Sequence, residues 1–205
     1  PASEYESIRK SGKIAITLKE GDELISIFKT TGNDNIFLAT RNGMAICFNE
    51  NDARAVGRTA SGVKAIDLAD GDYVVGAEPV REDSKVLLVT DGGYGKCTDL
   101  TSFRIQHRGG KGLKAYKITE KTGNIIGISM VNDSEELIMV TSEGVVIRIR
   151  IKDIATTTGR ITQGVRLINL NDGVTVVSMD KISAEDAVEE ESEENTEVTA
   201  ETTEE

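Results

Sequence analysis

Short apolar runs alternate with glycine-containing turns along most of the chain. Valine, isoleucine and threonine are frequent in these runs, and β-branched residues favour strands. The dipeptides Asn42-Gly43 and Asp91-Gly92 each separate two runs by two residues, which is the pattern of a β-hairpin. Around the second dipeptide the spacing predicts four strands, at about 85–90, 93–98, 112–117 and 125–130.

The pattern repeats about every fifty residues. SGKIAITLKEGD, from Ser11, matches SGVKAIDLADGD, from Ser61, at seven positions, and the register continues in KGLKAYKI from Lys111 and QGVRLINL from Gln163. Two further markers recur in step: the turns TRNG, TDGG and TSEG, and the runs VVGA, IIGI and VVSM, with LISI as a weaker copy. One half of the unit occurs four times and the other half three times, so the chain is expected to begin within a repeat.

A repeat of this length is typical of a propeller-like array. A single four-stranded sheet cannot bury both of its faces, whereas several sheets stacked radially cover one another. The predicted fold is therefore all-β, a propeller-like array of about four four-stranded blades over residues 1–182.

Charge divides the chain into a body and a tail. The formal net charge is −11, but residues 183–205 hold 11 acidic residues and no Lys or Arg, which leaves 24 acids and 24 bases in residues 1–182. A segment of one charge sign without apolar periodicity is predicted to be disordered. Two hypotheses stand for this acidic C-terminal tail: it improves solubility, or it competes as a mobile polyanion for a basic surface.

Few residues could carry catalytic or metal chemistry. Cys47 and Cys97 occupy the same position of the repeat, so they are expected to be separate strand thiols, buried or half-buried, in a reducing compartment. No CxxC pair accompanies them, and His107 is the sole histidine, so neither a zinc site nor an active site is predicted. The sequence has no apolar run of about 18 residues and no signal peptide, and it opens at Pro1, which indicates a fragment or a processed product.

The basic residues recur with the repeat. In three repeats an arginine lies four residues before the glycine that opens the predicted third strand: Arg58, Arg108 and Arg160. Three more cations follow that glycine by two residues: Lys64, Lys114 and Arg166. The densest region, 94–117, has one acid, Asp99, and six cations: Lys96, Arg104, Arg108, Lys111, Lys114 and Lys117. Arg148, Arg150 and Lys152 form a further cluster.

Two interpretations of these cations are open. Any one of them is most simply a solvated surface charge, whereas the periodic set favours binding of a polyanion. Cations spaced along a curved rim suit a phosphate backbone, since each contact releases counterions. Aromatic residues are scarce nearby, which argues against stacking on single strands, so sequence-independent binding of a duplex is the simplest hypothesis.

The stretch QHRGGKG, from Gln106 to Gly112, combines three glycines, two cations and the histidine. It lacks the G-x-x-x-x-G-K-[ST] spacing of a nucleotide-binding P-loop. It resembles the seven-residue gyrase A box, Q-(R/K)-R-G-G-(R/K)-G, of the C-terminal domain of gyrase A, and His107 is the one departure. The flanks SGKIAITLKEGDELI, VLLVTDGGYGKCT and TGRITQGVRLI and the acidic tail are also similar to that DNA gyrase family, and the resemblance covers nearly all of residues 3–182.

The resemblance implies a β-pinwheel, a propeller-like disc whose neighbouring blades exchange a strand and whose basic rim wraps duplex DNA. The family's domain commonly has six blades with the principal box in the first, so this chain is expected to supply about four later blades. The implied function is wrapping of DNA without sequence specificity, in support of ATP-dependent negative supercoiling by the whole enzyme. The implied partners are double-stranded DNA, the N-terminal cleavage region of gyrase A, and gyrase B, in the bacterial cytoplasm at the nucleoid.

No catalytic residue and no cofactor are expected in this chain, because the resemblance assigns the catalytic tyrosine, ATP and Mg to other parts of the enzyme. Two alternatives remain: the corresponding C-terminal domain of topoisomerase IV, and a WD-repeat or kelch-like scaffold for protein interactions. The absence of tryptophan weighs against the WD-repeat scaffold. The predicted DNA-binding residues are Gln106, Arg108, Gly109, Gly110, Lys111, Gly112, Arg104, Lys114, Lys117, Arg58, Lys64, Arg160, Arg166, Arg148 and Arg150.

Overall fold

The computed structural model describes residues 2–8 and 10–183, so the predicted disordered acidic tail, residues 183–205, lies outside the described residues except for Ser183. The described residues form strands joined by turns and by short 3-10 helices. The strands are β1 (Asn35–Thr40), β2 (Met44–Asn49), β3 (Val74–Pro79), β4 (Lys85–Thr90), β5 (Tyr94–Asp99), β6 (Leu113–Lys114), β7 (Ile125–Val131), β8 (Glu136–Thr141), β9 (Val146–Arg150), β10 (Thr156–Thr157), β11 (Val165–Arg166) and β12 (Val176–Ile182).

The strands form three sheets. Their orders are β3-β1-β2-β6, then β7-β4-β5 with β10 and β11 both on β5, and finally β12-β8-β9. The prediction of an all-β array is confirmed, and the four strands predicted for the third repeat correspond to β4, β5, β6 and β7. Among the described residues, the first copy of the repeat, residues 10–33, contributes no strand to a sheet.

The third strands of the third and fourth repeats leave their own sheets. β6 pairs antiparallel with β2 of the preceding repeat, with Met44 opposite Lys114. β11 likewise pairs with β5, with Arg166 opposite Tyr94. This exchange of strands between neighbouring blades is the arrangement that the resemblance implied.

The hairpin between β4 and β5 is one residue longer than predicted. β5 begins at Tyr94 rather than at Gly93, because Gly93 has a φ of 77° and its N–H donates to the Thr90 carbonyl at 3.0 Å. The link therefore has three residues, and the glycine occupies its left-handed position.

Apolar side chains are buried between neighbouring sheets. One core cluster lies between the first and second sheets and includes Phe37 and Val86; another lies between the second and third sheets and includes Leu87 and Leu137. β4 is buried along almost its whole length because both faces of its sheet are covered. β9 alternates between exposed and half-buried positions because the third sheet is covered on one face.

Cys47 and Cys97 are buried free thiols, as expected, one on β2 and the other on β5. Burial raises the pKa of each thiol to about 11. Both are therefore protonated near neutral pH and are not nucleophiles.

A polar network joins the inner strands of the three sheets. The Glu78 carboxylate on β3 accepts from the Met130 N–H on β7 at 3.0 Å and from the Lys181 ammonium on β12 at 3.0 Å. The same ammonium also donates to the Met130 carbonyl at 2.9 Å. One carboxylate and one ammonium thus fix the three inner strands relative to one another.

We expect Gly112→Ala to destabilise the protein more than Gly62→Ala. Both glycines have left-handed backbones, with φ of 72° and 79°, so alanine at either position costs about 1 kcal/mol in backbone strain. A Cβ on Gly112 would also lie 2.4 Å from the Ala45 carbonyl oxygen, whereas one on Gly62 would meet nothing within 4 Å. Urea unfolding should give a further loss of about 2 kcal/mol for Gly112→Ala. Equal losses would show that the exchanged strand does not depend on this close approach.

Candidate nucleic-acid interface

The repeated arginines fasten each repeat to the one before it. Arg58 donates to the Ile14 carbonyl at 2.8 Å, Arg108 to that of Lys64 at 3.0 Å, and Arg160 to that of Lys114 at 3.0 Å. The three acceptors are themselves equivalent positions of the repeat, one unit earlier. We call each such arginine, with the carbonyl that it contacts, a latch.

A backbone hydrogen bond accompanies each latch. The N–H groups of Thr17, Asp67 and Lys117 donate across the junction at 3.1, 2.9 and 3.0 Å, to the carbonyls of Ala60, Gly110 and Thr162 respectively. The link before each third strand is therefore held on the preceding repeat by both side chain and backbone. The arginines have structural partners that sequence analysis did not anticipate, and whether their remaining N–H groups bind DNA stays a prediction.

The stretch QHRGGKG forms the link of the junction between the second and third repeats. The Gln106 N–H donates to the Cys47 carbonyl at 2.8 Å, and the Gly109 N–H donates to that of Ala65 at 2.6 Å. Arg108 also donates to the Asp52 carbonyl at 2.8 Å. This link is therefore docked along its length, as its glycines allow.

His107 projects from this docked link into solvent. Its side chain is 98% exposed, and its Nδ1 lies 3.2 Å from the Asp52 carboxylate. The histidine thus lies beside Asp52, whose carbonyl accepts from Arg108. It forms a salt bridge with the Asp52 carboxylate only when it is protonated.

Three predicted residues already have acidic partners. Lys64 pairs with Asp67, Arg148 with Glu136, and Arg150 with Asp153, the last at 2.8 Å. These pairs lie on the surface, where exchange for a phosphate is inexpensive because exposed ion pairs contribute about 0–1 kcal/mol.

Five predicted cations are exposed and make no ion pair with any described carboxylate: Arg104, Lys111, Lys114, Lys117 and Arg166. Lys114 lies on β6, the outermost strand of the first sheet, and Arg166 lies on β11 at the outer side of the second sheet. Arg148 and Arg150 lie on β9, the outer strand of the third sheet. Cations therefore occupy the outer edge of all three sheets.

The structure removes Lys96 from the exposed basic cluster that was predicted from sequence. It is fully buried, and its Nζ donates to the carbonyls of Gly159 and Arg160 and to the Thr162 hydroxyl. The ammonium also lies 5.3 Å from the centre of the Tyr116 ring. Lys96 therefore binds the link of the fourth repeat from the protein interior and is not part of the exposed surface.

Sequence analysis did not identify Lys121 as a cation that lies, with Arg166, close to Tyr94. Its ammonium lies 5.5 Å from the centre of the Tyr94 ring, and the Arg166 guanidinium lies 5.6 Å from the same centre. Lys121 falls outside both recurring basic positions, so the repeat gave no signal for it. Its contact with Tyr94 depends on the turn between β6 and β7, which only the fold positions.

The described residues offer no group of three or more His, Cys, Asp or Glu side chains that could hold a metal ion. No helix within the described ranges is long and apolar enough to cross a membrane.

Comparison with known proteins identifies the class of protein. The sequence model of the family described as "DNA gyrase C-terminal domain, beta-propeller" matches four successive segments, residues 1–31, 34–81, 84–132 and 135–183. The four matches follow the four copies of the repeat. The chain belongs to this family.

Curated relatives in this family are DNA gyrase A proteins. The chain is 58% identical over 184 residues to that of Halalkalibacterium halodurans and 49% identical over 195 residues to that of Clostridium acetobutylicum. The matches cover 90% and 95% of this chain but 22% and 23% of the relatives. The chain thus spans less than a quarter of the length of these relatives.

Solved structures agree with the family. The C-terminal domain of DNA topoisomerase IV is similar with a TM-score of 0.84 and 28% identity, over 91% of this chain and 58% of that one. The DNA gyrase A C-terminal domain is similar with a TM-score of 0.75 and 27% identity, over 84% of this chain and 59% of that one. Both comparisons confirm the pinwheel type of fold.

We expect the stability of the wild type to rise with pH above about 8, relative to a Lys96→Met variant. Burial, with a smaller effect of Arg160, lowers the pKa of Lys96 from 10.5 to about 8. Between these values the unfolded chain binds a proton that the folded protein does not, so each pH unit adds up to about 1.4 kcal/mol.

Denaturant unfolding at several pH values gives this comparison. Lys96→Met keeps an unbranched stem in a position where the neighbouring repeats have Ile46 and Ile147. Parallel stability curves for the two proteins would contradict the lowered pKa of Lys96.

Proposed function

We propose that this chain binds duplex DNA along the outer edges of its sheets and wraps it, as the C-terminal part of DNA gyrase A. The observation that carries the proposal is the recurrence of exposed cations on the outermost strand of successive sheets. Successive sheets turn this edge into a curved path, and a duplex that follows it makes phosphate contacts without base readout.

Bending DNA over such an edge costs a few kcal/mol for a short site turned by tens of degrees. Repeated phosphate contacts offset this cost, and the latches stiffen the edge so that its curvature is set before DNA arrives. The whole enzyme would use the wrap to present a DNA segment for strand passage. ATP, Mg, the cleavage region of gyrase A and the gyrase B protein would lie outside this chain, in the bacterial cytoplasm.

Topoisomerase IV is a second candidate, supported by the TM-score of 0.84 to its C-terminal domain. The box-like stretch and the curated relatives favour gyrase. Joined to gyrase's other parts, a gyrase chain should restore negative supercoiling, whereas a topoisomerase IV chain should not.

We expect duplex affinity to fall steeply with salt. About six phosphate contacts give a slope near −5 for log affinity against log salt. The double variant Lys111→Gln, Lys117→Gln should reduce this slope by about two, without a change in base preference. Lys29→Gln is the matched control. Lys29 is also an exposed lysine, but it follows residues 25–28, which lie beside the inner strands β3, β7 and β12 and away from the outer edge. A flat salt response in the wild type would rule out binding by this surface.

Wrapping, as distinct from binding, should trap writhe. A nicked plasmid is closed, or a closed one relaxed, while the chain is bound, and the protein is then removed. We expect a shift in linking number that grows with the amount of bound protein. Binding without any trapped writhe would leave a DNA-binding domain that does not wrap.

A further inference from the structure

Two cations converge on a single tyrosine at the junction between the third and fourth repeats. Arg166 on β11 donates two N–H groups to the Tyr94 hydroxyl oxygen, from Nε at 3.1 Å and from Nη2 at 3.0 Å. Lys121, in the turn before β7, lies 5.5 Å from the centre of the same ring. We call Tyr94, Lys121 and Arg166 the junction triad.

The triad lacks a neutralising acid. Within the described residues, neither Lys121 nor Arg166 forms an ion pair, and Arg166 has only the neutral Asn169 amide oxygen as its other partner, at 2.8 Å. Glu120 lines the shallow cleft beside Lys121 without pairing with it. The nearby Asp91 carboxylate accepts from the Asn124 N–H at 2.8 Å. Two like charges thus share one phenol, which is unfavourable unless an anion joins them.

The phenol has hydrogen-bonding capacity to spare. Its oxygen accepts from Arg166, while its own O–H has no acceptor among the described side chains and carbonyls. The hydrogen bonds from Arg166, with a smaller effect of Lys121, lower the pKa of Tyr94, so the site already favours a negative charge. Three kinds of donor, from guanidinium, ammonium and phenol, are therefore grouped at the Tyr94 ring.

We infer that the junction triad is a subsite for a phosphate group, which Arg166 and Lys121 neutralise and the Tyr94 hydroxyl contacts as a donor. This inference rests on the proposed function for the source of the phosphate, the backbone of the bound duplex. It extends the cationic path beyond the recurring positions, because Lys121 belongs to neither of them. The equivalent of Tyr94 in the second repeat is Met44, which cannot donate, so the subsite is specific to this junction.

The first experiment uses inorganic phosphate as the probe and requires no DNA. The chain carries four tyrosines, and Tyr94→Phe identifies the ring signals of Tyr94 in the NMR spectrum of the labelled protein. We expect phosphate to shift these signals saturably and to raise the pH at which Tyr94 ionises, because the anion neutralises the cations. Lys121→Gln and Arg166→Gln should each weaken the response at least fivefold, whereas Lys29→Gln should leave it unchanged. A Tyr94 signal that phosphate does not move would overturn the subsite.

The second experiment identifies the source of the phosphate. With a short duplex, the double variant Lys121→Gln, Arg166→Gln should reduce the slope of log affinity against log salt by about two. Tyr94→Phe should lower affinity while it leaves the slope unchanged, because it removes no charge. If phosphate shifts Tyr94 but these variants bind duplex as the wild type does, the duplex is refuted as the source. If the wild type binds no duplex, the proposed function fails while the phosphate experiment still decides the subsite.

Discussion

The exchange of the third strand between repeats is the constraint on which the rest of this structure depends. β6 and β11 complete sheets that belong to the repeat before them, and each is preceded by a link that a latch arginine fastens to that same repeat. The first and second sheets are therefore not complete within one repeat, whereas the third sheet consists of β8, β9 and β12 of the fourth repeat. Because each junction carries backbone pairing, an arginine contact and a shared apolar core, neighbouring sheets cannot easily rotate relative to one another. Such coupling is consistent with the proposed wrapping of DNA, in which a curved surface bends a stiff polymer.

The same construction explains why the box-like stretch has the composition that it has. Arg108 contacts two backbone carbonyls, Gly109 and Gly110 form hydrogen bonds with the preceding repeat, and Gly112 lies against the Ala45 carbonyl. Most of this stretch is thus explained by docking of the link. Lys111 differs, because it is exposed and interacts only weakly with Asp67, whose pKa Lys64 lowers more strongly. The seven residues from Gln106 to Gly112 thereby serve both docking of the link and the proposed DNA binding. Within the stretch, the proposed phosphate contact is assigned mainly to Lys111.

Burial separates cations that look equivalent along the chain. Lys96 and Lys114 both belong to the dense basic region, yet Lys96 is enclosed by carbonyl oxygens and Lys114 lies exposed on the outermost strand of its sheet. An ammonium without water needs several acceptors, and the link of the fourth repeat supplies them. The buried lysine thereby positions the link that carries Arg160. Its role is structural, although it carries the same charge as the surface cations.

Local signals along the chain were sufficient to predict the repeat, the all-β class, the strands β4 and β5 to within a residue, and the family. Those signals are alternation, turn glycines and motifs that recur about every fifty residues. The folded structure was needed to show which cations are exposed, which carbonyls the latch arginines contact, and that Lys121 and Arg166 both lie against Tyr94. The reason is physical: burial and pairing depend on residues from different repeats, brought together by strand exchange. Periodicity shows that positions are equivalent, but it does not show what each one faces.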